Sequence, residues 1–483
     1  MEFEPVIGFE THVELAAKSK VFCDTRAEFG GEPNSYVCEV CLGLPGTLPV
    51  LNKTSMELSL KVALALNCDI PEVTEFDRKN YYYPDLPKNY QISQEYRPLG
   101  RNGAMTILMP GGREKTVGIH NIHLEEDAGK LVHDVYKGRG VSLVDLNRAS
   151  TSLLEIVSQP DMRSPEEAEA FMETMRSLLR YLEVSDCKMQ EGSLRFELNV
   201  SMRPKGQKEF GTKVEVKNVG SVRAVLRALD YEMRRQTEIL EDGGRVIQET
   251  RLWDDERGET RSMRVKEGAK DYRYFPEPDL PPVHIDREYL ETLRKDLPEL
   301  RDAKRKRFVE EYGLPDYDAG VLAAEKAVAD FFEECTRLHN APKVYSNWIM
   351  VYILRELGGE DEKEIADLKI TPEHLAQLAQ ILDSGKINQN IAKKVLNKSL
   401  QTGDLPEKII QEKGLEMVSD SGEIEKFVDE VIVEQAGPVE EYKNGKDNTL
   451  NFLVGQVMRK SRGKAQPDTV QELLRKKIRG EQP

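Results

Sequence analysis

The chain has 483 residues, of which 39% are hydrophobic and 32% charged, and its formal net charge is −16. This length predicts about three domains. No apolar run approaches the roughly 18 residues of a membrane helix, and the acidic N-terminus carries no signal-peptide pattern, so we expect a cytoplasmic protein that does not enter a membrane. The six cysteines are scattered too widely for a disulfide framework.

Alternating polar and apolar residues predict strands early in the chain. The first strand has a polar face made of Gly8, Glu10, His12 and Glu14. The same alternation recurs at 194–201 and 213–217. Between these strands, Ser164 and Pro165 begin a predicted helix. Its buried stripe is Ala168, Phe171, Met172, Met175 and Leu179.

Proline- and glycine-containing stretches mark two boundaries, which divide the chain into three predicted domains. Four prolines fall between 276 and 283, and Gly403 and Pro406 form a second hinge. We therefore expect an α+β fold: a mixed, cradle-like α+β domain with an antiparallel sheet at 1–290, an all-α domain at 291–405 and a small all-α tail domain at 406–483.

Segment 77–94 joins four tyrosines, two prolines and three cations, and we expect it to be an irregular loop. Cations interleaved with tyrosines suit a ligand with phosphates and flat rings, such as a nucleotide or an RNA end. The alternative is a tyrosine-rich core strand followed by a turn.

Several acids and one histidine lie on strand-like segments. Glu10 and His12 share a polar strand face, Glu125 ends a second segment, and Glu155 interrupts an apolar run. Carboxylates with an imidazole suit a divalent cation such as Mg²⁺. The alternatives are a solvent-facing strand edge for Glu10 and His12 and a salt bridge for Glu155, since a buried acid needs a partner.

No glycine-rich phosphate loop occurs, so side chains must meet any nucleotide phosphates. The candidate cations are Lys79, Lys88, Arg148, Arg195, Lys213 and Lys217. Tyr83 and Asn89 of the tyrosine-rich segment complete the predicted nucleotide contacts. For Lys213 and Lys217, which flank Glu215, the alternative is a surface ladder of charges.

Cys38 and Cys41 have the spacing of a zinc knuckle, and Cys23 lies fifteen residues upstream of Cys38. A closed zinc site needs a fourth ligand. Asp24 is one candidate, and a degenerate site without zinc is the other.

The last forty-one residues are basic on an otherwise acidic chain. Their cations are Lys443, Lys446, Arg459, Lys460, Arg462, Lys464, Arg475, Lys476, Lys477 and Arg479. Such a module predicts nucleic-acid binding, with Arg459, Lys460, Arg462, Lys464 and Lys476 pointing outward. The alternative is a merely soluble helical tail.

Nine stretches, in order, resemble the B subunits of bacterial aspartyl/glutamyl-tRNA amidotransferases. They are VIGFETHV (6–13), GLPGTLP (43–49), the segment 77–94, IHLEEDAGK (122–130), NR (147–148), LEIV (154–157), EGSLR (191–195), DYRYFPEPDLP (271–281) and FLVGQVM (452–458). Zinc-binding members of the family resemble Cys-x-Cys at the first position, where this chain has Thr25 after Cys23.

The resemblance implies ATP-dependent conversion of Glu-tRNA(Gln) to Gln-tRNA(Gln), of Asp-tRNA(Asn) to Asn-tRNA(Asn), or both. It implies that Glu10, His12, Glu125 and Glu155 hold Mg²⁺–ATP and that Arg148 and Lys88 steady phosphate. It also implies a heterotrimer with a glutaminase A subunit and a small C subunit, because this chain has no amidase signature of its own. The rival hypothesis is a non-catalytic tRNA-binding scaffold with a structural zinc. The sequence leaves open which tRNA is the substrate.

Overall fold

The computed structural model describes residues 2–109, 111–136, 139–265, 272–358, 363–416, 421–461 and 465–480. The chain forms two compact units, Met1–Arg301 and Asp302–Pro483. The first is a sheet-rich α+β unit and the second is helical, as the sequence predicts. None of the helices in the described residues is long and apolar enough to span a bilayer.

The first unit contains fifteen strands within the described residues. They are β1 (Phe3–Glu14), β2 (Val73–Thr74), β3 (Asp77–Asn80), β4 (Tyr90–Ser93), β5 (Gly100–Met109), β6 (Arg113–Glu126), β7 (Lys130–Tyr136), β8 (Arg139–Asp145), β9 (Ser152–Ser158), β10 (Leu194–Pro204), β11 (Val214–Lys217), β12 (Glu249–Asp254), β13 (Glu259–Val265), β14 (Phe275–Pro276) and β15 (Val283–His284).

Eight of these strands form the main sheet, in the order β13-β12-β11-β10-β1-β9-β6-β5. All neighbours are antiparallel except the parallel pair β11 and β12. The predicted alternation is confirmed along most of β10 and in the second half of β1, where every second side chain is buried. In β11, by contrast, Glu215 is buried together with Val214 and Val216. The long central strand β1 lies between β9 and β10, so its polar side chains have neighbours on both sides.

Helices cover the apolar face of this sheet. The unit contains α1 (Lys53–Ala65), α2 (Pro165–Tyr181), α3 (Val222–Glu241) and α4 (Arg287–Lys295). The predicted helix is α2: Ser164 accepts a hydrogen bond from the Glu167 amide at its start, and the predicted stripe is buried. Phe9 of β1 stacks on Phe171 of α2 with ring centroids 5.5 Å apart. Burying such a ring contributes about 1.5–3 kcal/mol, and the opposite face of the sheet is left polar.

Two segments differ from the sequence prediction. Segment 77–94, expected to be irregular, contains the hairpin strands β3 and β4 around a loop. The proline-rich stretch near 276–283 does not end the first unit, because β14 pairs with β3 and β15 pairs with β2. The next helix, α4, packs on α1, where the Tyr289 hydroxyl donates to Glu57. The contacts therefore extend the first unit to Arg301 rather than 290.

The second unit contains helices α5 to α16 within the described residues. They are α5 (Arg301–Tyr312), α6 (Asp316–Leu322), α7 (Lys326–Leu338), α8 (Pro342–Trp348), α9 (Leu354–Leu357), α10 (Pro372–Asp383), α11 (Gln389–Thr402), α12 (Pro406–Lys413), α13 (Ser421–Glu434), α14 (Ala436–Lys443), α15 (Asn448–Lys460) and α16 (Pro467–Arg479). A π-helical turn, Ile349–Ile353, joins α8 to α9, and a 3-10 turn, Ile365–Asp367, precedes α10.

Separate hydrophobic clusters lie within this helical unit. The first runs from Phe308 to Ile410, and the second from Ile424 to Ile478. Ile409 and Ile410 of α12 belong to the first cluster, although the sequence predicts a tail domain that begins at 406. Packing thus associates α12 with the helical domain that precedes it, and the tail core begins with α13.

Candidate functional site

The polar face of the main sheet gathers the candidate acids and histidine. Partners across antiparallel strands point to the same face. His12 on β1 is opposite Glu155 on β9, and Glu155 is in turn opposite His123 on β6. Glu125 lies two residues beyond His123 on the same strand, so it extends this row on the same face.

His12, Glu125 and Glu155 can place one ligand atom each within 4.8 Å of one another. Nε2 of His12 lies 3.3 Å from Glu155, and Nε2 of His123 lies 3.1 Å from Glu155 and 3.7 Å from Glu125. The Ser93 hydroxyl donates to Glu125 at 3.0 Å. We call His12, His123, Glu125 and Glu155 the histidine–glutamate cluster.

Charges within this cluster shift its pKa values. Burial alone would lower the pKa of His123, but the adjacent Glu155 and Glu125 outweigh it and raise that pKa to about 10. Burial would likewise raise the pKa of Glu155, yet His123 and His12 hold it well below its ordinary value. The cluster therefore favours ionised carboxylates, the form that binds a cation.

Glu10 belongs to a second acidic group beside the first. It lies opposite Glu197 on β10, and Glu215 on β11 completes a set whose ligand atoms lie within 4.8 Å of one another. Burial, followed by Glu155, Glu197 and Glu215, raises the pKa of Glu10. Asn199 donates to Glu10 at 3.1 Å.

Two predicted phosphate ligands neutralise this second group. The ammonium of Lys217 lies 2.6 Å from Glu197 and 3.3 Å from Glu215. The ammonium of Lys213 lies 3.9 Å from Glu10 and is half exposed. The sequence offered a surface ladder of charges as the alternative for Lys213 and Lys217. Their ion pairs lie instead on the polar face of the main sheet, next to the histidine–glutamate cluster.

Arg148 and Arg195 converge on Asp127, a buried acid just after β6. Their guanidinium groups lie 3.3 and 3.1 Å from its carboxylate. Burial and then Asp127 raise the pKa of the nearby Glu14 to about 8. A cleft of about 560 Å³ opens beside Arg148, Arg195 and Glu14. Its remaining wall includes Asn147, Glu197 and the loops at 27–31, 189–192 and 218–220.

Aromatic rings stand over the other side of the cluster. Lys79 on β3 lies 6.0 Å from the centroid of the Tyr81 ring and 5.3 Å from that of Tyr272. Burial opposes the charge of Lys79, but Glu125 and Tyr274, in that order, raise its pKa overall. This brings a cation and three tyrosine rings to the edge of the histidine–glutamate cluster.

The other predicted ligands of segment 77–94 have different surroundings. Lys88 is ion-paired with the buried Glu126. Tyr83 is exposed. Asn89 has a positive φ of 60° and closes the loop through its backbone, accepting from the Tyr81 amide at 3.3 Å. Their predicted nucleotide contacts stay predictions.

The three cysteines of the predicted zinc site do meet. Sulfurs of Cys23, Cys38 and Cys41 lie within 4.8 Å of one another, and Asp24 is exposed outside that group. The ammonium of Lys20, which is fully buried, lies 3.6 Å from Cys41 Sγ. A hydrogen bond from Cys23, together with the charge of Lys20, lowers the pKa of Cys41 to about 5. These donors fit a metal held by three sulfurs, with Lys20 balancing the negative charge.

Unpartnered atoms on the polar face fit a bound cation and nucleotide. Within the described residues, buried side-chain atoms there lack a hydrogen-bond partner; they are Nδ1 of His12, Nε of Arg195 and Oδ1 of Asn199. Buried polar atoms without partners are rare unless a ligand or water meets them. The imidazole and two carboxylates around His12 are also a donor set that suits Mg²⁺.

Sequence reasoning missed several residues of this face: Glu14, His123, Asp127, Glu197 and Glu215, besides Lys20 at the cysteines. His123 had a local signal, because it lies two residues before Glu125 in a strand and so shares its face. Glu197 and Glu215 had none, since only the order of strands brings them to Glu10.

Comparison with known proteins reveals relatives along almost the whole chain. A family model described as the GatB/GatE catalytic domain matches residues 5–291, and one described as the GatB domain matches residues 330–478. A protein of Carboxydothermus hydrogenoformans is 55% identical over 99% of both chains. Proteins of Caldicellulosiruptor bescii and Thermoanaerobacter pseudethanolicus are 52% and 51% identical, each over 99% of this chain and at least 99% of their own. All three are named as B subunits of an aspartyl/glutamyl-tRNA(Asn/Gln) amidotransferase.

Proposed function

The chain belongs to the family of aspartyl/glutamyl-tRNA(Asn/Gln) amidotransferase B subunits, and from that premise we propose that it catalyses ATP-dependent amidation of misacylated tRNA. The substrate is Glu-tRNA(Gln), Asp-tRNA(Asn) or both, and the product is the corresponding Gln-tRNA or Asn-tRNA. The observation that carries this proposal is the histidine–glutamate cluster beside the arginine-lined cleft. The enzyme class is a carbon–nitrogen ligase with glutamine as the amide donor.

The chemistry explains why the site needs both acids and cations. A carboxylate is a poor acyl donor, because it would have to expel oxide. Attack of its oxygen on the γ-phosphorus of ATP releases ADP and leaves an acyl phosphate. Ammonia then attacks the acyl carbon, phosphate departs, and loss of a proton from nitrogen gives the amide. Negative charge accumulates on the transferred phosphoryl group, so cations must be placed around it.

His12, Glu125 and Glu155 would hold Mg²⁺, which neutralises phosphate charge when bound. Glu10, predicted from the sequence to join them, lies in the adjacent acidic group and has Glu197 and Glu215 as its nearest carboxylates. We propose that Glu10 contributes to the same site for Mg²⁺ and ATP from this adjacent acidic group.

The cations have separate roles in the proposal. Arg148 and Arg195 line the cleft and present guanidinium groups that suit phosphate oxygens. Asp127 holds both of them in place. Lys79 and the rings of Tyr81, Tyr272 and Tyr274 provide a stacking surface with a cation, which suits the terminal adenosine of the aminoacylated tRNA end.

Ammonia must come from a partner. We identify no amidase signature in the sequence, where Ser-x-x-Lys occurs only as the isolated runs 185–188 and 461–464. The cysteines are not arranged as a glutaminase centre, since the three that cluster among the described residues have no histidine among them. We therefore assign glutamine hydrolysis to a glutaminase A subunit, with a small C subunit completing a heterotrimer.

The rival is a tRNA-binding scaffold with a structural zinc and no chemistry. It is favoured by the three-cysteine site, but it leaves the histidine–glutamate cluster without a role. Burying several acids and two imidazoles on one sheet face is costly, and a scaffold does not need them.

Glu125→Gln tests the proposal, with Glu114→Gln as the matched control on the exposed end of the same strand. In the reconstituted heterotrimer with mischarged tRNA and ATP, Glu125→Gln should slow amidation by at least about 100-fold, because a metal ligand contributes several kcal/mol to phosphoryl transfer. Binding of tRNA and the partner's glutaminase should persist, and Glu114→Gln should behave as the parent. Amidation by Glu125→Gln at the parental rate in saturating Mg²⁺ would favour the scaffold.

A further inference from the structure

One stretch of the helical unit carries positive charge without any negative charge to balance it. From Ser384 to Gly403 the chain has four lysines and no carboxylate side chain. This contrasts with the net charge of −16 for the whole protein. Helix α11 occupies most of this stretch.

Helix α11 presents these groups on a fixed face. Its apolar side is anchored in the hydrophobic cluster by Ile391, Ala392, Val395 and Leu396. At 3.6 residues per turn, the opposite side consists of Asn390, Lys393, Lys394, Asn397 and Gln401. Together with Lys386, exposed in the preceding loop, these residues are here called the α11 face. Capping by Asn388, which accepts from the Ile391 amide at 3.0 Å, fixes the start of the helix.

The lysines of the α11 face are not neutralised by the protein. Elsewhere in this unit, Lys304 is ion-paired with Asp330 and Glu333, and Lys326 with Asp330. By contrast, Lys386, Lys393 and Lys394 form no ion pair among the described residues.

The acids that flank the stretch already have partners. Asp383 lies 2.7 Å from Nε2 of His339. Asp404 lies 2.6 Å from the ammonium of Lys408, which lowers the pKa of Asp404. The charge of Lys398, at the edge of the α11 face, lowers this pKa further. The positive potential of the α11 face is therefore directed to solvent.

We propose that the α11 face binds the sugar–phosphate backbone of the tRNA, an inference that rests on the proposed function. Lysines meet phosphates without reading bases, and the interleaved amides can donate to phosphate or 2′-hydroxyl oxygens. A protein partner fits less well, because protein interfaces are depleted in lysine and centre on aromatic or apolar residues. The exposed side of α11 has no such residue, which also argues against membrane insertion.

The size of the face sets the expected effect. From Asn390 to Gln401 the helix rises about 16 Å, which spans a few phosphates. Each phosphate contact contributes roughly 0.7–0.9 to the log–log slope of affinity against salt. Removing Lys393 and Lys394 should therefore flatten that slope by about 1.5.

The test compares two double charge reversals of equal net charge in the full chain. Lys393→Glu with Lys394→Glu alters the α11 face. Lys343→Glu with Lys413→Glu is the control at exposed lysines elsewhere in the same unit, neither of which forms an ion pair among the described residues. Binding of an unacylated tRNA transcript is measured across a salt series, and the heterotrimer supplies KM and kcat for mischarged tRNA.

The α11 reversal should weaken tRNA binding at least tenfold at 0.1 M salt, flatten the slope and raise KM with kcat unchanged, while the control pair stays within twofold of the parent. Equal losses in both pairs would mean that net charge alone matters and would overturn the inference. So would unchanged tRNA affinity, or a loss confined to assembly with the glutaminase partner. If the parent binds and amidates tRNA in those cases, the proposed function stands and only this surface assignment fails.

Discussion

Glu125 and Glu126 are neighbours at the end of β6 but have different roles. Glu125 belongs to the histidine–glutamate cluster, whereas Glu126 stabilises the fold, and Glu126→Gln tests that structural role. Glu126 is buried with 2% of its surface exposed. Its carboxylate is ion-paired with Lys88 and accepts from the Ile92 amide at 2.9 Å and from the Ser150 hydroxyl at 2.7 Å. It thus ties the β3–β4 hairpin to the main sheet.

The cost of Glu126→Gln follows from these contacts. The amide oxygen of glutamine can replace the oxygen that faces Lys88 and Ile92, and the Ser150 hydroxyl can rotate to accept from the new NH₂ group. The hydrogen bonds with the Ile92 amide and the Ser150 hydroxyl then no longer involve a charged carboxylate, which costs about 1 kcal/mol each. Lys88 also keeps a charge with only 11% of its side chain exposed. We expect a loss of about 2–3 kcal/mol, slightly below the usual cost of breaking a buried pair.

Tryptophan fluorescence can follow this unit alone. The chain has two tryptophans, the buried Trp253 in the first unit and Trp348 in the second. In a Trp348→Phe background, urea unfolding monitored by Trp253 reports the free energy of unfolding of the first unit.

Adding Lys88→Met to Glu126→Gln should recover at least about 1 kcal/mol, because a neutral buried pair avoids the stranded charge. A loss below about 0.5 kcal/mol in Glu126→Gln, or strict additivity of the two substitutions, would refute the reasoning.

Two further predictions concern the tail and the cysteines. Deleting the chain after 416, which retains α12 in its own core, should raise KM for tRNA and flatten the salt slope by nearly one unit per lost phosphate contact, with kcat unchanged; unaltered KM and slope would make the tail an assembly or solubility element. Metal analysis of the purified chain should find at most one zinc, which Cys41→Ser removes, and a fully folded parent without metal would show that Thr25 marks a lost site.

Local periodicity was enough to predict elements such as β1 and α2. In the second half of β1, alternation separates the buried side chains from the partly exposed ones, and in α2 the cap at Ser164 and the apolar stripe agree. These signals lie within about twenty residues. Pairing across long separations has no such local signal: the prolines near 276–283 do interrupt regular structure, yet β14 and β15 pair with strands about two hundred residues earlier.

The sequence indicated which residue types would form the candidate site, but it did not show which of these residues lie next to each other. His12 meets Glu155 because β1 pairs with β9, and no local pattern encodes that pairing. Glu10 lies only two positions from His12, yet residues so spaced on a strand are nearly 7 Å apart. That separation lets Glu10 face Glu197 and Glu215 while His12 faces Glu155. A single predicted cluster therefore became two adjacent ones.

Counting charges in the sequence overstates the free positive charge of the tail, because the count does not show which cations are ion-paired. Lys460, predicted to point outward to nucleic acid, lies 2.7 Å from Glu430 and 2.6 Å from Glu434 on α13. Lys477 is likewise paired with Asp429. Arg462 and Lys464 lie outside the described residues. Arg459 and Lys476 remain exposed without an ion pair in the described part of the chain.

A cation contributes to phosphate binding only to the extent that its own protein leaves it uncompensated, because an internal ion pair must be broken or shared first. By that criterion a comparison of total cation counts underestimates α11. This helix has three lysines and no acid of its own, whereas part of the tail's larger count is ion-paired. The salt slopes of the tail deletion and of the α11 reversal should therefore be of similar size, although the tail contains more than twice as many cations as the stretch 384–403. A tail deletion that flattened the slope in proportion to its cation count would show that those internal pairs open when RNA binds.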